Sequence, residues 1–235
     1  MSSPLLRLIE RNDWGEFQPM MDRLSRWEGW PLFLEKRKTL NRDALYQSPV
    51  HGYGHIERTM LHGAFCAMEE PLPGEDTALL LECCAYHDVG RSNDGPDQEH
   101  GHRSAARLEA LTGRRGEELS MMMAAVDAHA RPESALEPTL KRYHPADWAR
   151  CLRLAQLLKD ADGLDRVRIW DLDVKYLRRE ASRLREDFAE YLFIRYQREI
   201  NASTTPPFPQ ELVEMLSARQ DARNRVRNRT SYFHR

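Results

Sequence analysis

The sequence lacks any apolar run close to the length of a membrane span. About 20 consecutive apolar residues are needed to cross the hydrocarbon core, and charged residues interrupt every apolar stretch well before that length. The N-terminal residues also lack the basic and then apolar pattern of a secretory signal. We therefore expect no membrane partner and a cytoplasmic location.

Cysteine and net charge are also scarce. The chain has four cysteines and no C-x-x-C pair, so the sequence predicts reduced thiols rather than a disulfide framework. Its 35 basic residues nearly balance 37 acidic ones, for a formal charge of −2. Without an overall positive charge there is no general attraction for nucleic acid. Nucleic acid is therefore not an expected partner, and the C-terminal arginines are interpreted as a solvated face.

Strand patterns and internal repeats are absent as well. No stretch shows the period of two that a half-buried strand requires, whereas helical periodicity is present from the first residues onward. We predict an all-α chain in three parts. Residues 1–47 form a helical support or lid, residues 48–170 form the core, and residues 171–235 form C-terminal helices, one from Glu180 to Ile200 and one from Gln210, with a basic tail.

The stretch that carries chemistry is His87-Asp88, which follows an apolar helical run and precedes Gly90. Neighbouring side chains diverge by about 100° within a helix, but a loosening last turn lets both converge on one cation. An imidazole beside a carboxylate suits a borderline or hard divalent metal. The sequence therefore predicts metal ligands that reach a site from the core.

A second carboxylate lies on an apolar helix face. In the helix that starts at Asp147, Asp162 falls on the buried stripe, while Asp160 points away from it. An unpaired buried charge costs several kcal/mol, so Asp162 needs a metal or a basic partner. Lys159 and Arg166 fall on the same side of this helix and are the basic candidates.

Several histidines could complete the site. Gly52 and Gly54 favour a helix that begins late, with His55 in its first turn and His51 just before it. His129 falls at the edge of the inward face of a helix that spans residues 116–130. His100 opens another helix after a loop of turn-forming residues.

Three of these motifs, in this order, resemble the HD-domain superfamily of metal-dependent phosphohydrolases. They are GHIER at residues 54–58, AYHDVG at 85–90 and KDADGLD at 159–165, and the resemblance covers roughly residues 48–170. It implies an HD-domain-like helical bundle with additional N- and C-terminal helices. It also implies that four side chains coordinate one metal, namely His55, His87, Asp88 and Asp162.

The resemblance further suggests a dinuclear site. Asp88 would bridge to a second ion held by His100 and His129, with His102 as an alternative to His100. Mixed nitrogen and oxygen ligands suit one or two ions of Mn, Fe, Co, Ni or Zn.

The expected activity is hydrolysis of a phosphate ester or anhydride in a small nucleotide or related metabolite, by a water molecule that the metal activates. Candidate catalytic residues are Asp88, His51 and Lys159. Candidate substrate-binding residues, as charge-assisted donors to phosphate, are Arg58, Arg91, Lys159 and Arg166. Two other functions stay open: a di-iron oxygenase-type enzyme, and a helical sensor that binds metal and ligand without turnover.

Overall fold

The computed structural model describes residues 3–201, and the regular elements in that range are all helical, which confirms the predicted fold class. The α-helices are α1 Pro4–Arg11, α2 Gln18–Ser25, α3 Trp30–Lys38, α4 Tyr53–Glu69, α5 Gly74–Tyr86, α6 His100–Ala105, α7 Leu108–Thr112, α8 Gly116–His129, α9 Leu136–Lys141, α10 Trp148–Leu164, α11 Glu180–Arg183 and α12 Glu186–Asn201. The predicted helix from Gln210 and the basic tail lie outside the described residues. Within that range, no helix is long and apolar enough to span a membrane.

Helices α4, α5, α8 and α10 pack against one another and form the core. Helix α5 is apolar around most of its circumference, and its residues from Asp76 to Tyr86 are all buried. A helix with that pattern is stable only when other helices surround it. Helix α10 starts where Asp147 accepts a hydrogen bond from the backbone N–H of Arg150 at 3.0 Å, an N-cap that fixes its first turn.

The N-terminal helices cover one side of this core. Helix α1 packs on α12 and α4, and α3 packs on α5 and α4. Gly29 and Pro31 predict a bend between short helices at residues 27–33, and helix α3 begins within that stretch, at Trp30. Pro31 is compatible with that start because proline, which lacks an N–H, is tolerated in the first turn of a helix.

The predicted helix from Glu180 to Ile200 is interrupted between Arg183 and Glu186. At this interruption Arg185 turns inward and is buried, with its guanidinium 3.3 Å from Glu69 and over the ring of Phe65. After the interruption, α12 packs on α1 and α4. A small apolar cluster also joins α12 to the end of α10 and to the 3₁₀ turn Asp165–Ile169.

Candidate metal centre

Five helices direct their ends toward one point in the core. The side chains that meet there are His55 in the first turn of α4, His87 and Asp88 at the end of α5, His100 at the start of α6, His129 at the end of α8 and Asp162 near the end of α10. The structure therefore brings together all six side chains predicted as metal ligands.

His87 is the C-cap of α5, and Asp88 follows it in the turn. Because the helix has ended, the two neighbouring side chains converge, with His87 Nε2 at 3.7 Å from Asp88 Oδ2. The same oxygen lies 3.5 Å from His55 Nε2. Asp162 Oδ1 lies 3.5 Å from His55 Nε2 and 3.7 Å from His87 Nε2. We call these four residues the inner half of the centre.

The other oxygen of Asp88 faces a second set of ligands. Asp88 Oδ1 lies 2.9 Å from His100 Nε2 and 3.6 Å from His129 Nε2. These two ring nitrogens are 3.0 Å apart. We call His100, His129 and the Oδ1 side of Asp88 the outer half of the centre. Asp88 thus belongs to both halves, with one oxygen in each.

Gly101 explains how the outer half can be so compact. A β-carbon at this position would lie 2.7 Å from the carbonyl oxygen of Val126 and 2.8 Å from that of Asp127. Such contacts are shorter than normal van der Waals distances, so only glycine lets α6 rest directly on the backbone of α8. This contact places His100 beside His129.

Each of the four histidines has its Nδ1 atom next to an acceptor. His55 Nδ1 lies 2.7 Å from Asp165 Oδ2. The other three face backbone carbonyls of Cys84, Asp97 and Val126. Because these groups only accept, the hydrogen-bond network assigns the ring proton to Nδ1 in every case. The four Nε2 atoms are then unprotonated and present their lone pairs to the centre.

This arrangement fits a metal ion. The lone pairs of His55 Nε2 and His87 Nε2 face each other at 3.0 Å, and they repel unless a cation lies close to both. Asp88 is 2% exposed, and within residues 3–201 neither of its oxygens has a well-aligned hydrogen-bond donor. Arg91 Nε is 3.0 Å from Oδ1, in an ion pair that lacks hydrogen-bond alignment. A buried carboxylate of this kind requires a cation.

The protonation states agree with that requirement. Burial lowers the pKa of His55 to about 3 and that of His129 to about 4. Burial alone would raise the pKa values of Asp88 and Asp162, but protonation of the neighbouring imidazoles, His87 first, favours the ionised carboxylates and lowers both values below the ordinary carboxyl range. Neutral imidazoles and ionised carboxylates are the forms that bind a metal.

Four other residues were predicted to contact metal or substrate, and in the structure each of them pairs with another group. His102 is 60% exposed in its side chain and pairs with Asp127, so it is not part of the centre. Arg58 is buried, binds Asp165 and does not line the cavity in front of the centre, which is a correction to its predicted contact with substrate. Arg166 lines that cavity but pairs with Asp171.

Lys159 is the fourth. Its Nζ donates to the carbonyl oxygens of Ala128, His129 and Arg131 at 3.1, 3.3 and 2.7 Å, which occupies all three ammonium protons. Burial lowers its pKa to about 8. Lys159 lines the cavity but is bound to these three carbonyl groups, and its predicted catalytic and phosphate-binding roles stay predictions.

Asp160 was predicted to point away from the stripe that carries Asp162. It lies outside the centre but is fully buried, and it accepts hydrogen bonds from the backbone N–H groups of Arg178 and Arg179 at 2.9 Å each. The helical periodicity of α10 identified the metal-facing stripe but not this second buried face, because residues 178–179 arrive from a distant part of the chain.

Arg168 is a residue that the sequence analysis missed. Its side chain is 3% exposed and donates to the carbonyl oxygen of Val50 at 2.9 Å and to that of Asp165 at 3.0 Å. It also lies 3.9 Å from Asp162. The available signal was its spacing of three from Asp165, since residues three apart are on the same side of a 3₁₀ helix. The helical periodicity of α10 does not continue into that turn.

A cavity of about 820 Å³ opens in front of the outer half. Its floor includes Asp88, His100, His129 and Asp162, whereas His55 and His87 lie behind them. Its walls include Arg91, Arg168 and also His51, whose Nδ1 lies 3.0 Å from Asp94 Oδ1. This volume is within the range of small-molecule sites.

The fold and the centre together define an all-α protein with a His/Asp site suited to divalent metals. Residues 52–167 match the family model of the HD domain, and by this match that part of the chain belongs to the HD-domain family, whose members are typically metal-dependent phosphohydrolases. A comparison with curated proteins and a comparison with solved structures found no match.

Proposed function

We propose that the protein is a metal-dependent phosphohydrolase that cleaves a phosphate ester of a small nucleotide or related metabolite. The observation that carries this proposal is the placement of Asp88 on the floor of the cavity, where its two oxygens face separate sets of unprotonated Nε2 atoms. The Nε2 atoms of His100 and His129 belong to that floor, and those of His55 and His87 lie behind it. Two cations sharing one carboxylate form the arrangement that holds a water and a phosphoryl group together.

The inner half would hold one ion through His55, His87, Asp88 and Asp162, and the outer half a second one through Asp88, His100 and His129. When bound, such ions lower the pKa of water and neutralise charge on the phosphoryl oxygens. Mn, Fe, Co, Ni and Zn all suit this mixture of imidazole and carboxylate ligands.

The wall of the cavity favours a single phosphoryl group. Among the described residues, six basic side chains line the cavity, and four of them are bound to other groups. These are Lys159 on three carbonyls, Arg131 on Asp127 and Glu99, Arg166 on Asp171, and Arg178 on Glu133 and Asp160. The cavity also exposes carboxylates, which repel a long polyphosphate. We therefore favour a phosphate monoester over a polyphosphate anhydride.

The remaining two basic residues are next to the metal ligands. Arg91 Nε lies 3.0 Å from Asp88 Oδ1. Arg168 uses Nε and Nη1 for carbonyl groups and has no hydrogen bond from Nη2 within residues 3–201. Arg91 Nη1 also donates to the carbonyl oxygen of Gly95 at 3.4 Å. Within residues 3–201 the Nη2 groups of Arg91 and Arg168 have no hydrogen bond, so these groups are available to a phosphoryl oxygen placed above the outer half.

His51 is the proposed proton donor to the leaving group. It lines the cavity and shares a hydrogen bond with Asp94, which also accepts a bond from Ser48. Burial lowers the pKa of His51, and the nearby charge of Arg168 lowers it further. Asp94 counteracts this shift and orients the ring, as an orienting carboxylate does for a histidine acid.

The test is a panel of phosphate monoesters and the matching di- and triphosphates, offered to protein loaded with each of the five metals in turn. We expect release of inorganic phosphate, with monoesters preferred. A panel without any product would contradict the proposal. In that case, oxygen uptake by iron-loaded protein would select an oxygenase, and thermal stabilisation by phosphate without turnover would select a sensor.

A matched pair of variants tests the phosphoryl contact. Replacing Arg168 with Met should lower kcat/KM about 10- to 100-fold, the effect of losing one hydrogen bond from a charged donor. Arg166→Met removes a basic residue from the same cavity that already pairs with Asp171, and it should leave kcat/KM nearly unchanged. Similar losses in both variants would indicate general electrostatic attraction instead of a specific contact.

A further inference from the structure

Arg58 is buried beside the inner half without touching any of its ligand atoms. It lies one turn after His55 on α4 and is 1% exposed. Its Nε donates to Asp165 Oδ1 at 2.6 Å and its Nη2 to Asp165 Oδ2 at 2.9 Å. Asp165 Oδ2 is also the acceptor for His55 Nδ1 at 2.7 Å. Arg58, Asp165 and His55 therefore form one continuous hydrogen-bonded chain.

Helix α12 holds the guanidinium of Arg58 in place. The guanidinium carbon lies 5.1 Å from the ring centre of Phe193 and 4.9 Å from that of Tyr196. Both rings are buried, so these cation–π contacts are not weakened by water. The Tyr196 hydroxyl also donates to Glu57 on α4 at 2.8 Å, which fixes the position of α12 against α4.

Gly54 shows how closely these groups are packed. A β-carbon at this position would lie 3.0 Å from Cε1 of Tyr196 and 3.3 Å from Nη1 of Arg58. The residue just before His55 therefore has no side chain, and this allows the aromatic ring and the guanidinium to approach α4 at the turn that carries the ligand.

These contacts matter for metal binding because the partner of Nδ1 sets which ring nitrogen of His55 is free. A carboxylate at Nδ1 keeps the proton there, leaves Nε2 available and fixes the orientation of the ring. The carboxylate must itself be held in place, and Arg58 does this with two parallel bonds to its two oxygens.

We propose that helix α12, which lies outside the residues matched by the HD family, completes the metal centre through Arg58. Phe193 and Tyr196 hold the guanidinium, Arg58 holds Asp165, and Asp165 orients His55. Arg58 is thus a positioning residue rather than a contact for substrate. This inference rests on the metal centre of the proposed function, but it does not depend on the reaction.

The test is a titration of the metal-free full chain with Co²⁺, followed by the visible absorption of the bound ion. Arg58→Met should raise the Kd of the inner ion at least about tenfold, as expected for loss of an outer-shell partner. Arg58→Lys, which can still hold one carboxylate oxygen, should recover part of that loss. Phe193→Leu keeps an apolar side chain but removes one ring, and it should weaken binding by a smaller factor.

Arg185→Met is the matched control. Arg185 is also buried, lies over the ring of Phe65 and pairs with Glu69, but it has no contact with the centre. This variant should lower the Tm and leave the Kd for Co²⁺ unchanged. An equal loss of affinity in Arg58→Met and Arg185→Met would show general loosening and would overturn the inference.

Other outcomes separate the inference from the proposed function. If the wild-type chain binds no Co²⁺, the metal centre itself is wrong, and the inference is wrong with it. If the wild type binds and Arg58→Met binds equally well, only the inference is wrong. If Arg58→Met does not fold, Arg58→Lys and Phe193→Leu decide the question, and wild-type affinity in both would overturn it.

Discussion

The inner and outer halves of the centre share Asp88 but are built from different parts of the fold. The inner half is supported by α4 and α5, helices of 17 and 13 residues that belong to the core. The outer half depends on α6, which has six residues and follows the loop at residues 91–99. His55 and His87 lie behind the cavity floor, whereas His100 and His129 form part of it.

This difference suggests a division of tasks between the halves. The inner half offers four ligand atoms, its two imidazoles lie behind the cavity floor, and one of these histidines is oriented by a carboxylate. The outer half offers three ligand atoms and opens to the cavity. A site that keeps an open position is suited to catalysis, while a closed one is suited to holding an ion. We therefore expect the inner ion to bind more tightly and the outer one to meet substrate.

The largest expected effect comes from Asp88, the residue common to both halves. Asp88→Asn should remove a ligand from each ion, and a bound cation contributes several kcal/mol of transition-state stabilisation, so we expect a loss of kcat/KM of at least about 1,000-fold. Elemental analysis should show both ions depleted. The Tm of the metal-free variant checks that the loss of activity does not come from unfolding. Loss of only one ion would contradict the sharing of Asp88.

The second prediction compares the halves directly. His55→Ala should deplete the inner ion and, through it, most of the activity, whereas His100→Ala should lose the outer ion and retain the inner one. His102→Ala is the matched control, since His102 lies near His100 in sequence but pairs with Asp127 outside the centre. It should retain the metal content of the wild type. If His100→Ala lost the inner ion as readily as His55→Ala does, the distinction between the halves would be wrong.

The third prediction is a dependence of the free energy of unfolding on pH. Burial lowers the pKa of His55 and of His62 to about 3, and that of His129 to about 4, whereas an unfolded histidine has a pKa of about 6.5. Below pH 6.5 the unfolded state of the metal-free protein therefore binds more protons. The free energy of unfolding should fall as the pH decreases toward 4, by up to about 1.4 kcal/mol per pH unit for each histidine.

Urea unfolding across this pH range measures the effect, and His62 sharpens the comparison. His62 is buried outside the centre, and within residues 3–201 neither of its ring nitrogens has a hydrogen-bond partner. His62→Leu should remove the contribution of His62 to the pH dependence of the free energy of unfolding, and the contributions of His55 and His129 should stay. Added metal should reduce only the contributions of His55 and His129, because a bound ion competes with protons for these two rings. A metal-free protein whose stability is the same at neutral pH and in mild acid would contradict all three contributions.

The sequence was sufficient for the parts of the structure that depend on local pattern. The apolar run before His87 predicted a core helix, and helix α5 ends at Tyr86. The glycines around His55 predicted a late helix start, and α4 begins at Tyr53. Local periodicity also placed Asp162 on the inward stripe of α10. In each case the information lay within a few residues of the side chain concerned.

What the sequence could not provide are contacts between distant segments. The amine of Lys159 meets the end of α8, Asp160 meets residues 178–179, and Arg58 meets α12. All three were assigned from their positions on single helices, and those positions do not indicate what packs on them. His100 and His102 are both near the start of one short helix. The close packing of Gly101 against the backbone of α8 decides that His100, and not His102, faces the centre.

Lys159 also bears on how the centre moves. Its ammonium binds the carbonyls that terminate α8, and it lies on α10 three residues before Asp162. The ends of two helices are thereby joined at the point where each carries a ligand. A thermal displacement of one helix then carries the other with it, so the distance between His129 and Asp162 fluctuates less than the helices do. The centre should keep its dimensions at temperatures where the loops around it have already begun to fluctuate.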